Sequence, residues 1–193
     1  PSEIFETQGS DALRWYFMSS NIVRGGDSRI SDQGIDDVVR QIITPIWNAY
    51  SFFTLYANID NYKADWKVDS SNVLDQYILS KTRLLVERVT QDMDQYDLPG
   101  ATDEIKSFID ALNNWYIRRS RDRFWAPGSP NDDTDKQAAY DTLYTVLKVL
   151  CEICAPFLPM TAEEIYSGIV GSSSVHLANW PDVNDLPSNP DLV

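Results

Sequence analysis

Histidine and cysteine, the side chains that most often carry catalysis and bind metals, are almost missing from these 193 residues: His176, Cys151 and Cys154 are all there is. A zinc site takes about four ligands, which one histidine and two cysteines cannot supply. The Cys-x-x-Cys spacing could also form a redox pair. Both thiols, however, lie inside the apolar run Val146 to Met160 and read as two small buried helix residues, with a reducing, cytoplasmic compartment as the matching expectation. His176 stands in a short apolar segment, where packing or a hydrogen bond is the expected use. No Ser/His/Asp arrangement can be singled out. Glycine-rich phosphate loops of the form Gly-x-x-x-x-Gly-Lys or Gly-x-Gly-x-x-Gly are absent, and Gly25-Gly26 reads as a turn.

Long apolar runs are missing as well. Stretches such as Val146 to Leu150 fall far short of the roughly 20 residues a membrane span requires, so no membrane partner is expected. The start, Pro-Ser-Glu-Ile-Phe-Glu, has no basic and apolar secretory signal and no initiator Met, and is expected to be a cut within a longer chain. Positive charge is scarce, with 16 Lys or Arg against 29 Asp or Glu and a net charge of −13. A uniformly acidic surface repels a polyanion, which weighs against nucleic acid. The distribution is uneven, though: residues 1–126 hold 14 basic and 19 acidic side chains, and residues 127–193 hold 2 and 10.

What is present is amphipathic helix. With 43% hydrophobic residues the chain can bury one substantial core. A short helix is expected over Asp11 to Ser19, then a polar loop from Ser20 to Gly34 carrying Arg24 and Arg29. Apolar residues from Val38 to Leu55 recur at helical spacing and predict a long helix from Ile35 to about Asn58, with Pro45 kinking or breaking it near Gln41 to Thr44. A polar connector follows, with Lys63, Trp66 and Lys67. The second long helix is expected from Asn72 to about Tyr96, with Pro99-Gly100 ending the connection after it, and the third from about Thr102 to Arg123. Pro127 to Asn131 is a turn. A fourth helix is expected over Asp133 to Ala155, and the capping-box pattern Thr161-x-x-Glu164 is expected to open a last one reaching Val170. Asp36-Asp37 and Asp132-Asp133 read as helix starts. Val175-His176-Leu177 is expected to pair as a short strand or to dock, and Asn184 to Val193 to fray. Helices with one apolar stripe each, joined by short connectors, predict an all-α antiparallel bundle.

One segment departs from the acidic background: Trp115 to Trp125 holds Arg118, Arg119, Arg121 and Arg123 against the single acid Asp122. On a helix Arg118 neighbours Arg121, and Arg119 neighbours Arg123. Guanidinium groups bind phosphate bidentately and stack on unpaired bases, and a nearby exposed aromatic such as Trp125 offers a plane to a splayed-out base, a set that suits an RNA loop. The same arginines could instead pair with acids on neighbouring helices. Trp15, Tyr16, Trp47, Tyr50 and Trp115 sit at helical spacing and are expected in the core.

Several motifs then fall into a recognisable order. Gly9 to Tyr16 resembles the segment of class I aminoacyl-tRNA synthetases that follows their Lys-Met-Ser-Lys-Ser loop. Ser19 to Gly25, Pro45 to Phe53, Asn58-Ile59-Asp60 and Asn114 to Trp125 resemble the isoleucyl members. Ala155 to Tyr166 is similar to a pattern of the isoleucyl, valyl and leucyl enzymes, and Ser174 to Pro181 completes the series.

The resemblance implies a helical-bundle domain holding the anticodon arm of tRNA(Ile). Residues 1–34 would be the tail of the catalytic or stem-contact region and a connector, 35–171 the anticodon-binding bundle, and 172–193 a docking segment and frayed tail. The His-x-Gly-His and Lys-Met-Ser-Lys-Ser signatures of the catalytic domain do not occur here, so aminoacylation with ATP and Mg is implied for a parent isoleucine–tRNA ligase and for an upstream domain of the same chain. No catalytic residue, metal or cofactor is expected within these residues. The RNA contacts expected are Arg118, Arg119, Arg121, Arg123 and Trp125, with Arg24, Arg29, Lys63 and Lys67 as secondary candidates. The alternatives are an acidic helical scaffold for a basic protein partner and the equivalent domain of a valyl or leucyl enzyme.

Overall fold

The computed structural model describes residues 2–27, 30–171 and 173–193. Among them the chain forms α1 (Ser2–Thr7), α2 (Ser10–Met18), a 3-10 turn (Asn21–Arg24), α3 (Asp32–Val38), a π-helical stretch (Val39–Ile43), α4 (Thr44–Ile59) and α5 (Val73–Asp94). After these come α6 (Leu98–Asp110), a second π stretch (Ala111–Ile117), α7 (Arg118–Trp125), α8 (Thr134–Cys154) and α9 (Pro159–Val170), then 3-10 turns at Val175–Leu177 and Val183–Asp185. The described residues contain no strand and no helix long and apolar enough to cross a membrane.

The helix that Pro45 was expected to kink runs on from α3 into α4. Proline removes one backbone donor and crowds the carbonyl four residues earlier. The chain answers with a wider turn over Val39–Ile43, just before the proline and where the disturbance was expected, and the α-helix resumes at Thr44. Ser31 caps the start, its side chain accepting from Gly34 N at 3.2 Å, so the helix begins before Ile35 and Asp36-Asp37 lie inside it rather than at its start. Asp133 does cap α8, accepting from the amides of Asp135 and Lys136.

Pro99 and Gly100 lie within the first turn of α6, where a missing N–H has no cost, and Asp97 accepts from Gly100 N at 3.1 Å. The expected capping box at Thr161 is also corrected. Helix α9 begins at Pro159, and its free amides are met from far away in sequence: Asp11 on α2 accepts from Thr161 N at 2.7 Å, from Thr161 Oγ1 at 2.7 Å and from Met160 N at 3.3 Å. Acidic side chains near a helix N-terminus are favoured by its dipole, so a buried Asp on another helix serves as well as a local one.

Helix α8 is the centre of the bundle. Tyr140, Leu143, Val146, Leu147, Leu150 and Ile153 are fully buried, each side chain contributing about 1.5–3 kcal/mol relative to exposure, and the helix packs against α4, α5, α7 and α9. Cys151 and Cys154 are free thiols buried in it. The C-terminal segment is docked as far as Asn189. Arg83 on α5 donates to the carbonyls of Val183 and Leu186 at 2.7 and 2.8 Å, Asn189 N donates to Ser80 Oγ at 3.1 Å, and Leu186 is buried. Of the two expectations for 175–177, docking holds and the strand does not: the segment is a 3-10 turn with Val175 buried, tied down by Glu163 accepting from Val175 N at 2.8 Å.

Candidate nucleic-acid interface

The arginine-rich segment spans the second π stretch and α7. It buries Leu112, Tyr116, Ile117, Ser120 and Phe124, and the remaining side chains fall on two flanks. Residues two apart on a helix point to nearly opposite sides. Arg121 and Trp125, four apart, therefore share the flank towards α4, while Trp115 and Arg119, also four apart, share the flank towards α5.

Arg123 lies inside the bundle. Its guanidinium donates to both carboxylate oxygens of Asp75 at 2.7 and 2.8 Å, to Asp135 Oδ2 at 2.8 Å and to the Asp135 carbonyl at 3.0 Å. Asp75, fully buried on α5, also accepts from Tyr116 Oη at 2.8 Å and from Ser70 Oγ at 2.7 Å. Burial opposes the charge on Arg123, but the hydrogen bonds to Asp75 and Asp135 outweigh it and raise the guanidinium pKa. For Asp135, burial pushes the carboxyl up and the bond from Arg123 wins, lowering it. Burial, with Asp75 alongside, drives the Tyr116 hydroxyl far above its ordinary value. Arg123 thus ties α5, α7 and α8 together.

The other three arginines are exposed and make no ion pair with a described residue. Arg121 lies 5.4 Å from the centre of the Trp125 ring, which is 52% exposed and 6.4 Å from Tyr56 on α4. Arg119 lies 4.5 Å from the centre of the Trp115 ring. Cations elsewhere are mostly committed: Arg40 to Asp37, Arg83 to Glu87, Arg88 to Glu104, Lys136 to Asp60 and Lys148 to Glu152. Among the described residues Arg14 is used by the Pro156 carbonyl, and the other cations left without a carboxylate gather mostly around the second π stretch: Lys81, Lys106, Arg118, Arg119 and Arg121. Lys63, exposed on the connector, lies apart from them.

Between this segment and α4 runs an open groove of about 760 Å³. Its floor is apolar, formed by Phe52, Ile109 and Ile117, and the exposed Lys106, Arg121 and Asp110, two cations and one carboxylate, stand on its rim. Gln41 and Asn48 on one wall face Asn113 and Asn114 on the other. The amide nitrogens of Asn113 and Asn114 are held by the Ile109 carbonyl (3.0 Å) and by Asp110 (2.6 Å), which fixes their orientation. Gln41 belongs to the first π stretch and Asn113 to the second, so two widened turns frame one cleft; such turns are common where side chains are re-aimed for function. A cleft with an apolar floor, amide walls and cationic rim can take a flat, hydrogen-bonding ring attached to a phosphate.

The secondary candidates lie elsewhere. Arg24 pairs with Asp97 and braces the Asn21–Arg24 turn against the start of α6, holding the Asp97 carboxyl below its usual range. Lys67 pairs with Asp69 at 3.0 Å. Arg29 is outside the described residues. Sequence reasoning assigned Trp115 and Trp47 to the core, yet they are 39% and 41% exposed. It passed over Gln41, Asn48, Lys106, Tyr77 and Lys81, whose placement depends on how helices distant in sequence meet.

Residues 75–192 match the family described as the anticodon-binding domain of tRNA ligase. The chain is similar to an isoleucine–tRNA ligase of Tropheryma whipplei (strain Twist), 49% identical over 194 residues, with 99% of this chain and 18% of that protein covered. It is also similar to an isoleucine–tRNA ligase of Corynebacterium efficiens, 50% identical over 192 residues, with 100% of this chain and 18% of that protein covered. The chain therefore spans under a fifth of the length of the curated relatives it matches. Among solved structures, the LeuRS of Agrobacterium radiobacter K84, in a ternary complex with tRNA and LeuAMS, superposes with a TM-score of 0.71 at 19% identity, covering 96% of this chain and 21% of that one. At that identity the likeness establishes the fold.

Proposed function

Because this chain belongs to the family of anticodon-binding domains of tRNA ligases, we propose that it holds the anticodon arm of isoleucine tRNA, as part of a polypeptide that joins isoleucine to that tRNA with ATP and Mg. The observation that carries this reading is the clustering of carboxylate-free cations, Arg118, Arg119, Arg121, Lys106 and Lys81, beside a groove with amide walls. Arg118 and Arg121 take phosphates at the groove rim, and Trp125 gives an unpaired base a ring to stack on. The amides of Gln41, Asn48, Asn113 and Asn114 face the edge of a base in the cleft. Arg123 acts from beneath, holding α7 against α5 and α8.

ATP and Mg are assigned to the polypeptide of which this chain is a part, outside these residues. The sequence has no glycine-rich phosphate loop, and the described residues include no group of three or more His, Cys, Asp or Glu placed to hold a metal. No step of the ligase reaction is assigned to them. The acidic-scaffold alternative is weaker, because two acids of the acid-rich region after Pro127 are committed: Asp133 caps α8 and Asp135 pairs with Arg123.

The test is binding of isoleucine tRNA and of valine tRNA at low salt, following the amide signals of residues 115–125, for the wild type and for Arg118→Glu/Arg121→Glu. Selective perturbation of those signals by isoleucine tRNA, with weaker binding in the double variant, is expected. An affinity unchanged by both reversals would remove this patch from the reading.

A further inference from the structure

The flank of α7 that faces α5 carries a second arrangement of cations on aromatic rings, separate from the groove. Tyr77 on α5 lies against Trp115, their ring centres 4.5 Å apart and their planes inclined by 42°. Arg119 sits 4.5 Å from the Trp115 ring centre and Lys81 sits 5.9 Å from that of Tyr77. The order is therefore cation, ring, ring, cation across the seam between two helices. Neither cation has an ion pair among the described residues, although Arg88, two helical turns further along α5 on the same side as Lys81, is held by Glu104. Ring faces attract cations, which orients the heads while leaving their N–H groups free for an anion.

The geometry points to a second RNA track: Lys81 and Arg119, held by Tyr77 and Trp115, bind phosphates of one sugar–phosphate backbone on the far side of α7 from the groove. This rests on the tRNA-binding reading above and deepens it. Charge complementarity selects the occupant, since these are free cations on a chain of net charge −13, and a basic peptide or an uncharged partner would leave both heads uncompensated. Asp122 marks the boundary. It is exposed, one residue after Arg121 and three after Arg119, and so sits on the crest of α7 between the two flanks. A phosphate chain is repelled from the crest and led along either side. The two tracks differ in chemistry. The groove offers amides that distinguish bases, while the Lys81–Arg119 track offers charges that do not.

The test is the salt dependence of binding to isoleucine tRNA and to valine tRNA for the wild type, Lys81→Ala, Arg119→Ala, Arg119→Lys and Arg118→Glu/Arg121→Glu. Each alanine variant is expected to lower the log–log salt slope by about 0.7, which at 0.1 M salt is about fivefold in affinity, by the same factor for both tRNAs. Arg119→Lys is expected to keep the slope. If Lys81→Ala and Arg119→Ala match the wild type while Arg118→Glu/Arg121→Glu binds more weakly, the second track is wrong and the groove reading stands. If the alanine variants weaken one tRNA alone, assignment to the backbone is wrong. If the wild type binds neither tRNA at low salt, the tRNA reading itself falls and takes this inference with it.

Discussion

Arg123 and Asp75 meet through two parallel hydrogen bonds of 2.7 and 2.8 Å, with the carboxylate fully buried and the guanidinium side chain 11% exposed. Removing one member of such a pair strands the other charge in the core, which typically costs about 3–5 kcal/mol. Arg123→Ala is expected to lower the urea-unfolding free energy by that amount, and Tyr116→Phe, which removes one hydrogen bond to Asp75, by about 1 kcal/mol. Were Arg123→Ala as stable as the wild type while tRNA binding fell, Arg123 would be a contact and not a strut.

Asp122 supplies a test of opposite sign at the RNA face. It is the one acid among the residues of α7 and is exposed. Asp122→Asn removes a repulsive charge between the two flanks, so tRNA affinity is expected to rise about threefold to fivefold at low salt, with the gain shrinking as salt is added. Weaker binding would mean that Asp122 accepts a hydrogen bond from the RNA.

Asp11 caps α9 from α2, some 150 residues away along the chain. Asp11→Ala leaves two amides and a hydroxyl without their acceptor and is expected to cost about 1–2 kcal/mol. Limited proteolysis should then cut α1 and α2 sooner than in the wild type. An unchanged cleavage pattern would show that Arg14, donating twice to the Pro156 carbonyl at 2.7 and 2.9 Å, holds the segment without Asp11.

Acid sensitivity follows from Asp60 and Asp135. Burial works to raise the Asp60 carboxyl, and the hydrogen bonds from Lys136 and Tyr140 overcome it and lower it below 3.8; Arg123 does the same for Asp135. A lowered folded-state pKa contributes stability that is complete above the unfolded value and lost as pH falls through the folded one. Thermal midpoints should therefore decline below about pH 4, and Asp60→Asn should make that decline shallower. Glu152 has the opposite sign, its carboxyl raised by burial despite Lys148, so acidification towards 4.5 relieves a penalty there. If Asp60→Asn leaves the acid limb unaltered, the pair with Lys136 adds nothing.

Both thiols are buried in α8, and burial raises the pKa of Cys154 to about 12 and that of Cys151 well above its ordinary value. The thiolate is the reactive form. A thiol-specific reagent at pH 8 is expected to label neither cysteine in the folded protein and both in denaturant. Rapid labelling of the native chain would mean that α8 opens locally.

Much of this fold was legible because helical periodicity is local. The apolar residues of α5 and α8 recur at helical spacing, and Asp133 stands where a cap is needed, so those elements and the all-α class follow from the residues themselves. The order of motifs from Gly9 to Pro181 likewise identified the family without coordinates. Boundaries set by distant partners were not legible: α9 begins where Asp11 reaches it, and the segment from Val183 to Asn189 docks because Arg83 and Ser80 receive it.

The arginines divide in the same way. Sequence alone determined that Arg118, Arg119, Arg121 and Arg123 share one helical segment, and that neighbours three and four apart share a side. Tertiary structure alone decided which of them was spent, because Asp75 lies 48 residues from Arg123 and meets it only when α5 packs against α7. Charge pairing depends on distances of a few ångströms between segments far apart in the chain, and local periodicity carries no information about those distances.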